Sequence, residues 1–332
     1  MESSSSVYLG VNLNFAKFVY GHKKALEVAR NEIGAYYVEI VPDIDYGPVF
    51  YVTEPDRFRE HYLEVGRYAK ELGIGIPTLL TFYRDNNSIL HSDPVIREHA
   101  FTVMRAMAVQ AGCLGCKVAG GSFGTVLAED MEERFDECVA AGLEYWKLWL
   151  DVLYEEGVGT ATIETMSTLR EPPATISFAK TLMDSLGKYH ADNAATTARP
   201  AFCYDLGHGV ADEECDVPAD RDFVEWFKAF PRDIIHLHVK NTDSKFMATW
   251  PFTADYAEQG IIDLHRLARA VRNHLDGRDL FIMVEMPGKR GRLIGERDAI
   301  EANRQSFTNL KQAFRDEGFV ENHSDHTWSV AE

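Results

Sequence analysis

Eight short apolar runs rich in β-branched residues, alternating with stretches of helical periodicity, constrain this chain more than anything else in it. The runs are "VYLGVNL", "YYVEIV", "IGIPTLLT", "CKVAGG", "GTATIETM", "AFCYDLGH", "IIHLHVKN" and "LFIMVEMP", and such short continuous runs read as buried strands. Between them apolar residues recur at helical spacing, as at Tyr62, Val65, Tyr68, Ala69 and Leu72 and again at Val103, Met107 and Val109. Gly73 ends one such stretch just before a strand begins. Parallel neighbours need a crossover and a helix supplies it, so this alternation predicts an α/β fold, a parallel (β/α)8 barrel. A doubly wound open sheet would carry a Gly-rich phosphate turn after an early strand, and "VNLNFAKF" has none. The expected organisation is one barrel domain over residues 1–319 and a C-terminal tail, 320–332. The tail sequence "ENHSDHTWSVAE" has no periodicity and reads as loose, which makes His323 and His326 poor site candidates.

A chain of 332 residues, 45% hydrophobic, suffices for one large core. Its formal net charge of -18 would repel phosphate backbones and anionic lipid, so nucleic acid and membrane surfaces are disfavoured as partners. A small molecule remains as the expected ligand, and a homo-oligomer is compatible with this composition. No apolar stretch approaches the roughly 20 residues of a spanning helix, and "MESSSSVYLG" lacks a secretory pattern, so a cytoplasmic location is expected. Cysteines at 113, 116, 138, 203 and 215 are odd in number and scattered, which fits reduced thiols. Cys113 and Cys116 form C-x-x-C without a second pair, and read as small residues at a helix-to-strand junction.

Barrel chemistry sits at the C-terminal strand ends, and there the last four strands carry Glu164, Asp205, His238 and Glu285. Each lies about one βα unit from the next, and consecutive strands of a closed barrel are neighbours. The four side chains therefore converge on one side of the mouth. Any one of these carboxylates could be an ion-pair or capping residue, but three carboxylates and an imidazole in register would repel one another without a cation. Such an oxygen-rich set suits a divalent ion, Mn²⁺ first and Mg²⁺ or Co²⁺ next, rather than structural zinc. His208 follows Asp205 by three across Gly207, where a tight turn could bring its ring back over the mouth. His236 faces the same way as His238, one layer deeper, and reads as a hydrogen-bonded core histidine. Lys240 points into the mouth by the same alternation.

These segments, "TIETMS", "CYDLGHG", "IHLHVKN" and "MVEMPG", resemble the metal-binding strand ends of the xylose isomerase-like sugar isomerase/epimerase superfamily, over nearly the whole chain. The resemblance implies that Glu164, Asp205, His238 and Glu285 hold the metal. In members similar to ketose 3-epimerases it implies that Glu164 and Glu285 also move the proton, while His208 holds the carbonyl end of the substrate. Two positions depart from that pattern: Arg170 stands where those epimerases have a glutamate, with Glu171 next, and Ser244 stands where they have an arginine. The substrate end is thus expected to differ. "TLREPPATI" and "KNTDSKFMATWPF" resemble loops of a tetrulose-phosphate branch, similar to erythrulose-phosphate epimerases or isomerases.

The residue types alone lead to the same chemistry. Removing a proton next to a carbonyl creates an enediolate, whose charge a divalent Lewis acid stabilises as it forms. A carboxylate can take that proton, and it can return to the opposite face or to the neighbouring carbon. Epimerisation and aldose–ketose isomerisation both remain open. "MPGKRGRLIGER" puts Lys289, Arg290, Arg292 and Arg297 in a Gly-rich loop after the eighth strand, where barrels often bind phosphate. With Lys240 and Arg170 these cations favour a ketose phosphate over a free ketose; the competing reading is that they pair with surplus carboxylates. Phe246, Trp250, Phe252 and Tyr256 lie in the long loop 242–260 and offer a lid or an aromatic pocket against substrate. Such a pocket would also suit a metal-dependent lyase resembling the catalytic subunit of C-glycoside deglycosidases. A non-catalytic sugar-binding barrel is the third reading.

Overall fold

The computed structural model describes residues 5–17, 19–80, 88–211, 217–275, 277–286 and 296–331. Each of the eight apolar runs forms a strand: β1 (Val7–Asn12), β2 (Tyr37–Ile40), β3 (Gly75–Leu80), β4 (Val118–Ser122), β5 (Thr160–Glu164), β6 (Arg199–Asp205), β7 (Ile234–Val239) and β8 (Leu280–Val284). They pair in chain order and all in parallel; β1 pairs with both β8 and β2, which closes the barrel. The helices α1 (His22–Val28), α2 (Pro48–Thr53), α3 (Pro55–Glu71), α4 (Pro94–Leu114), α5 (Phe135–Glu155), α6 (Ile176–Asp192), α7 (Phe223–Ala229), α8 (Leu264–His274) and α9 (Glu296–Asp316) supply the crossovers.

Helix starts follow capping chemistry. Asp93, Thr175, Asp222 and Asp263 each accept a hydrogen bond from an orphan backbone N–H of the first turn of α4, α6, α7 and α8. The apolar faces of these helices close over the outer face of the strands in one continuous core. A second small cluster of Val118, Ala201, Ile235, Phe281 and Met283, backed by Tyr8 and Tyr37, lies on the inner side. Phe281 and Met283 pair in register with His236 and His238, so this cluster floors the space in which the histidines stand.

Register sets the height of the polar residues. Ser122, Glu164 and Cys203 are level across β4, β5 and β6. An irregularity between Phe202 and Cys203 then shifts β6 against β7 and places Asp205 directly opposite His238. Without that shift the two would stand one residue out of step and face opposite ways.

The C-terminal stretch expected to be loose is ordered. Phe319–Glu321 (β9) and Trp328–Val330 (β10) form an antiparallel hairpin, and β10 continues onto β1 through Val7 and Trp328. The sequence has too few residues per strand to show alternation; burial of Trp328 under the guanidinium of Arg315, 5.0 Å from its ring centre, does the anchoring. His326 stacks on Tyr36 in this hairpin. Cys113 and Cys116 lie where α4 passes into β4, and burial pushes the Cys116 thiol far up, consistent with a packing role. No helix among the described residues is long and apolar enough to cross a membrane.

Candidate active site

β5, β6 and β7 deliver Glu164, Asp205 and His238 at their C-terminal ends, and Glu285 follows the last residue of β8. All four are buried, between 0% and 4% exposed, and one donor atom of each lies within 4.8 Å of the others. His238 Nδ1 is the centre of the group, 3.3 Å from Glu164 Oε1, 3.5 Å from Glu285 Oε2 and 3.8 Å from Asp205 Oδ2.

The other nitrogen of that ring explains the orientation. His238 Nε2 lies 2.7 Å from Glu39 Oε1, and Glu39 is itself held by the side-chain amide of Asn12 at 2.5 Å. A carboxylate accepts only, so the Nε2 hydrogen points to Glu39, and in the ion-free ring a hydrogen on Nδ1 points to Glu164 at 3.3 Å; an ion that displaced it would meet Nδ1 with three carboxylates around it. Oriented in this way, the ring has the outer partner that metal-ligating histidines usually have. Three carboxylates and one ring nitrogen within reach of one another fit a divalent ion that prefers oxygen, which would take the place of the Nδ1 proton. Burial by itself would lower the His238 pKa, but Glu39, Glu285 and Glu164 outweigh it and hold it well above the ordinary value.

Glu39 is the residue that the sequence reading passed over. It sits fully buried in the middle of β2, opposite Asn12 of β1, and approaches His236 Nε2 at 2.9 Å as well as His238. A single charged residue inside "YYVEIV" was the available signal, since an unpaired buried glutamate is rare. His236 is fully buried one layer below, its ring edge-on to that of His238, as expected of a core histidine.

His208 does turn back toward the group. Its backbone N–H donates to the Asp205 carbonyl, and its Nδ1 donates to the Thr165 carbonyl at 2.8 Å. Burial lowers its pKa to about 4, against the pull of Asp205, so its Nε2 presents a lone pair near neutral pH. Lys240 stands among the carboxylates. Its Nζ is 2.6 Å from Asp205 Oδ2, 2.8 Å from Glu285 Oε2 and 3.4 Å from His208 Nε2. Burial would lower the lysine, yet Asp205, Glu285 and Glu164 raise it far above its usual value, so it is an ammonium ion here. Gly207 makes room for it: a Cβ there would meet the Lys240 side chain at 2.5 Å.

The remaining expected substrate residues are not all brought to this group. Arg170 is exposed and its Nε donates to the Val126 carbonyl at 3.0 Å, tying the segment after β5 to the segment after β4. Trp250 is half-buried, bridged to Asn241 through the backbone and stacked on Tyr256 at 5.5 Å. Phe252 is buried and its backbone is held by Ser306 and Asn309 of α9, while Phe246 packs on Gly209 beside His208. Those four aromatics therefore have three separate settings. Arg297 is 74% exposed and pairs with Glu32 at 2.5 Å, as the competing reading of that loop held. Arg290 and Arg292, with Lys289, lie outside the described residues.

The sequence profile of xylose isomerase-like TIM barrels matches residues 28–312. No curated protein matches the chain in sequence. Solved structures do match its fold. A xylose isomerase candidate from Rhodospirillum rubrum superposes with a TM-score of 0.77 at 19% identity, over 92% of this chain and 99% of that one. D-psicose 3-epimerase from Clostridium cellulolyticum H10, solved with D-tagatose, gives 0.66 at 12% identity over 92% and 99%. The probable 3-DHS dehydratase AsbF from Bacillus anthracis gives 0.60 at 14% identity over 92% and 98%. At such identities the likeness establishes the barrel and leaves the reaction to the site.

Proposed function

The chain belongs to the xylose isomerase-like TIM barrel family, and from that premise we propose that it is a divalent-metal-dependent isomerase or epimerase of a small ketose or ketose phosphate. One observation carries this reading: His238, locked by Glu39, aims Nδ1 at the carboxylates of Glu164, Asp205 and Glu285 in a buried group at the strand ends. Those four residues would hold the ion, which when bound supplies Lewis-acid stabilisation of the oxyanion that develops next to the reacting carbon.

The chain's own groups account for the proton. Glu164 or Glu285 accepts it from the carbon next to the substrate carbonyl, the C–H bond breaks, and its electron pair becomes the enediolate. Delivery of a second proton to the opposite face by the other glutamate, which enters the step protonated, inverts the centre, and exchange with solvent resets the pair; delivery to the neighbouring carbon moves the carbonyl. His208, with a lone pair at Nε2, is suited to accept a hydrogen bond from a substrate hydroxyl, and the Lys240 ammonium beside it to donate to the carbonyl oxygen. A phosphorylated substrate, and with it the tetrulose-phosphate branch, is favoured by the Arg290 and Arg292 sequence. Replacing both by Ala should then raise KM for a ketose phosphate strongly and for the free ketose hardly at all.

The proton roles are tested by exchange of ketose hydrogens with D₂O at saturating Mn²⁺. Glu164→Gln and Glu285→Gln each keep a ligating oxygen and lose the base, so each should lose roughly 10²–10⁴-fold in rate. Near-normal exchange in both, with metal bound, would overturn the assignment.

A further inference from the structure

We propose that His22, Asp45 and His61 form a second divalent-ion site, of zinc type, that clips the segments following β1 and β2 to α3. His22 opens α1, Asp45 lies between β2 and α2, and His61 stands in the second turn of α3. Their three donor atoms lie within 4.8 Å of one another.

The hydrogen-bond arrangement has room for an ion. His22 is fully buried, with Nε2 3.3 Å from the Val41 carbonyl and Nδ1 3.0 Å from Asp45 Oδ2. Carbonyl and carboxylate both only accept, so a neutral ring can donate to one of them; with the hydrogen at Nε2 toward Val41, Nδ1 is left as a donor atom for an ion beside Asp45. His61 Nε2, itself buried, approaches the same oxygen at 3.5 Å. Two ring nitrogens thus converge on one carboxylate oxygen that already accepts the backbone N–H of His22 at 2.8 Å. With hydrogens at His22 Nδ1 and His61 Nε2 both rings donate to Asp45; with the His22 hydrogen at Nε2 toward Val41, an ion held by His22 Nδ1, His61 Nε2 and Asp45 Oδ2 takes their place.

Geometry and surroundings agree with such an ion. Tetrahedral zinc with bonds of about 2.0–2.1 Å keeps its ligand atoms about 3.3 Å apart, and the two nitrogen–oxygen separations, 3.0 and 3.5 Å, bracket that spacing. The Nε2–H to backbone carbonyl contact is the usual outer partner of a ligating histidine. Rings hold the imidazoles in place: Tyr62 lies edge-on to His22 at 5.5 Å and Tyr46 packs on His61 at 4.4 Å. Gly21 leaves space for Asp45, since a Cβ there would meet its Oδ1 at 2.7 Å. Two imidazoles and one carboxylate favour zinc over Mn²⁺ or Mg²⁺, the reverse of the preference at the strand ends. Three protein donors leave one position for water.

The test uses the Asp205→Asn/His238→Ala chain, in which the strand-end group no longer contributes, dialysed against Zn²⁺ and analysed for metal. Roughly one zinc per chain is expected, falling to background when His61→Gln or Asp45→Asn is added. His61 is partly exposed, so Gln should be tolerated, and far-UV circular dichroism checks the fold. In the same Asp205→Asn/His238→Ala background, Co²⁺ should give the intense visible absorption of a tetrahedral ion, lost when His61→Gln is added. Absence of zinc and of that absorption, or zinc that persists in both variants, would reduce the three residues to a hydrogen-bonded helix cap. Loss of the metal reading at the strand ends would not alter these outcomes.

Discussion

Glu39 holds the His238 ring so that Nδ1 faces the carboxylates, and a residue placed in that way would act on the proposed ion without touching it. Glu39→Gln removes the charge that polarises the ring while keeping the size of the side chain. Manganese affinity measured by titration calorimetry should fall roughly 10–100-fold, the usual cost of losing an outer-shell carboxylate. Lys240 works in the opposite direction. Its ammonium stands within 2.8 Å of both Asp205 and Glu285 and competes with a cation for them. Lys240→Met should therefore tighten Mn²⁺ binding, on the order of tenfold or about 1.4 kcal/mol, while turnover falls if the ammonium also serves the substrate. Weaker binding in Lys240→Met would mean that the lysine organises the carboxylates and does not compete.

At the scale of elements, the hairpin of β9 and β10 shows how few residues can anchor a segment. Its contact with β1 is a single pair, Val7 with Trp328, so the buried indole and not the ladder holds it. Trp328→Ala should cost about 3–5 kcal/mol, read as a lower denaturant midpoint. The strand ends lie at the other end of the β-strands, so metal binding by the folded fraction should be unchanged. The loop 242–260 is pinned in a comparable way, through Asn241 to Trp250 and through Phe252 to α9. A loop fixed at those points can shape the mouth without large movement.

For the molecule as a whole, stability and function separate along the barrel axis: the apolar core closes the helices over the strands, and the carboxylates gather at one end. An ion bound to the folded chain and not to the unfolded one stabilises by mass action, about 2.7 kcal/mol at a hundredfold excess over Kd. Mn²⁺ should accordingly raise Tm in the wild type and leave Asp205→Asn/His238→Ala unmoved; an equal rise in both would point to binding elsewhere. The barrel was legible in the chain because strand and helix periodicities are local, and all eight runs became strands. Glu164, Asp205, His238 and Glu285 were legible because each ends a run and successive strands must be neighbours. Glu39 was not, because its partner His238 is five strands away in sequence and meets it only across the closed interior. Neither was the pairing of Lys240 with Asp205 and Glu285, nor the meeting of His22, Asp45 and His61. Alternation along a strand tells which side a residue faces; what stands opposite depends on closure and register, which are properties of the packed barrel alone.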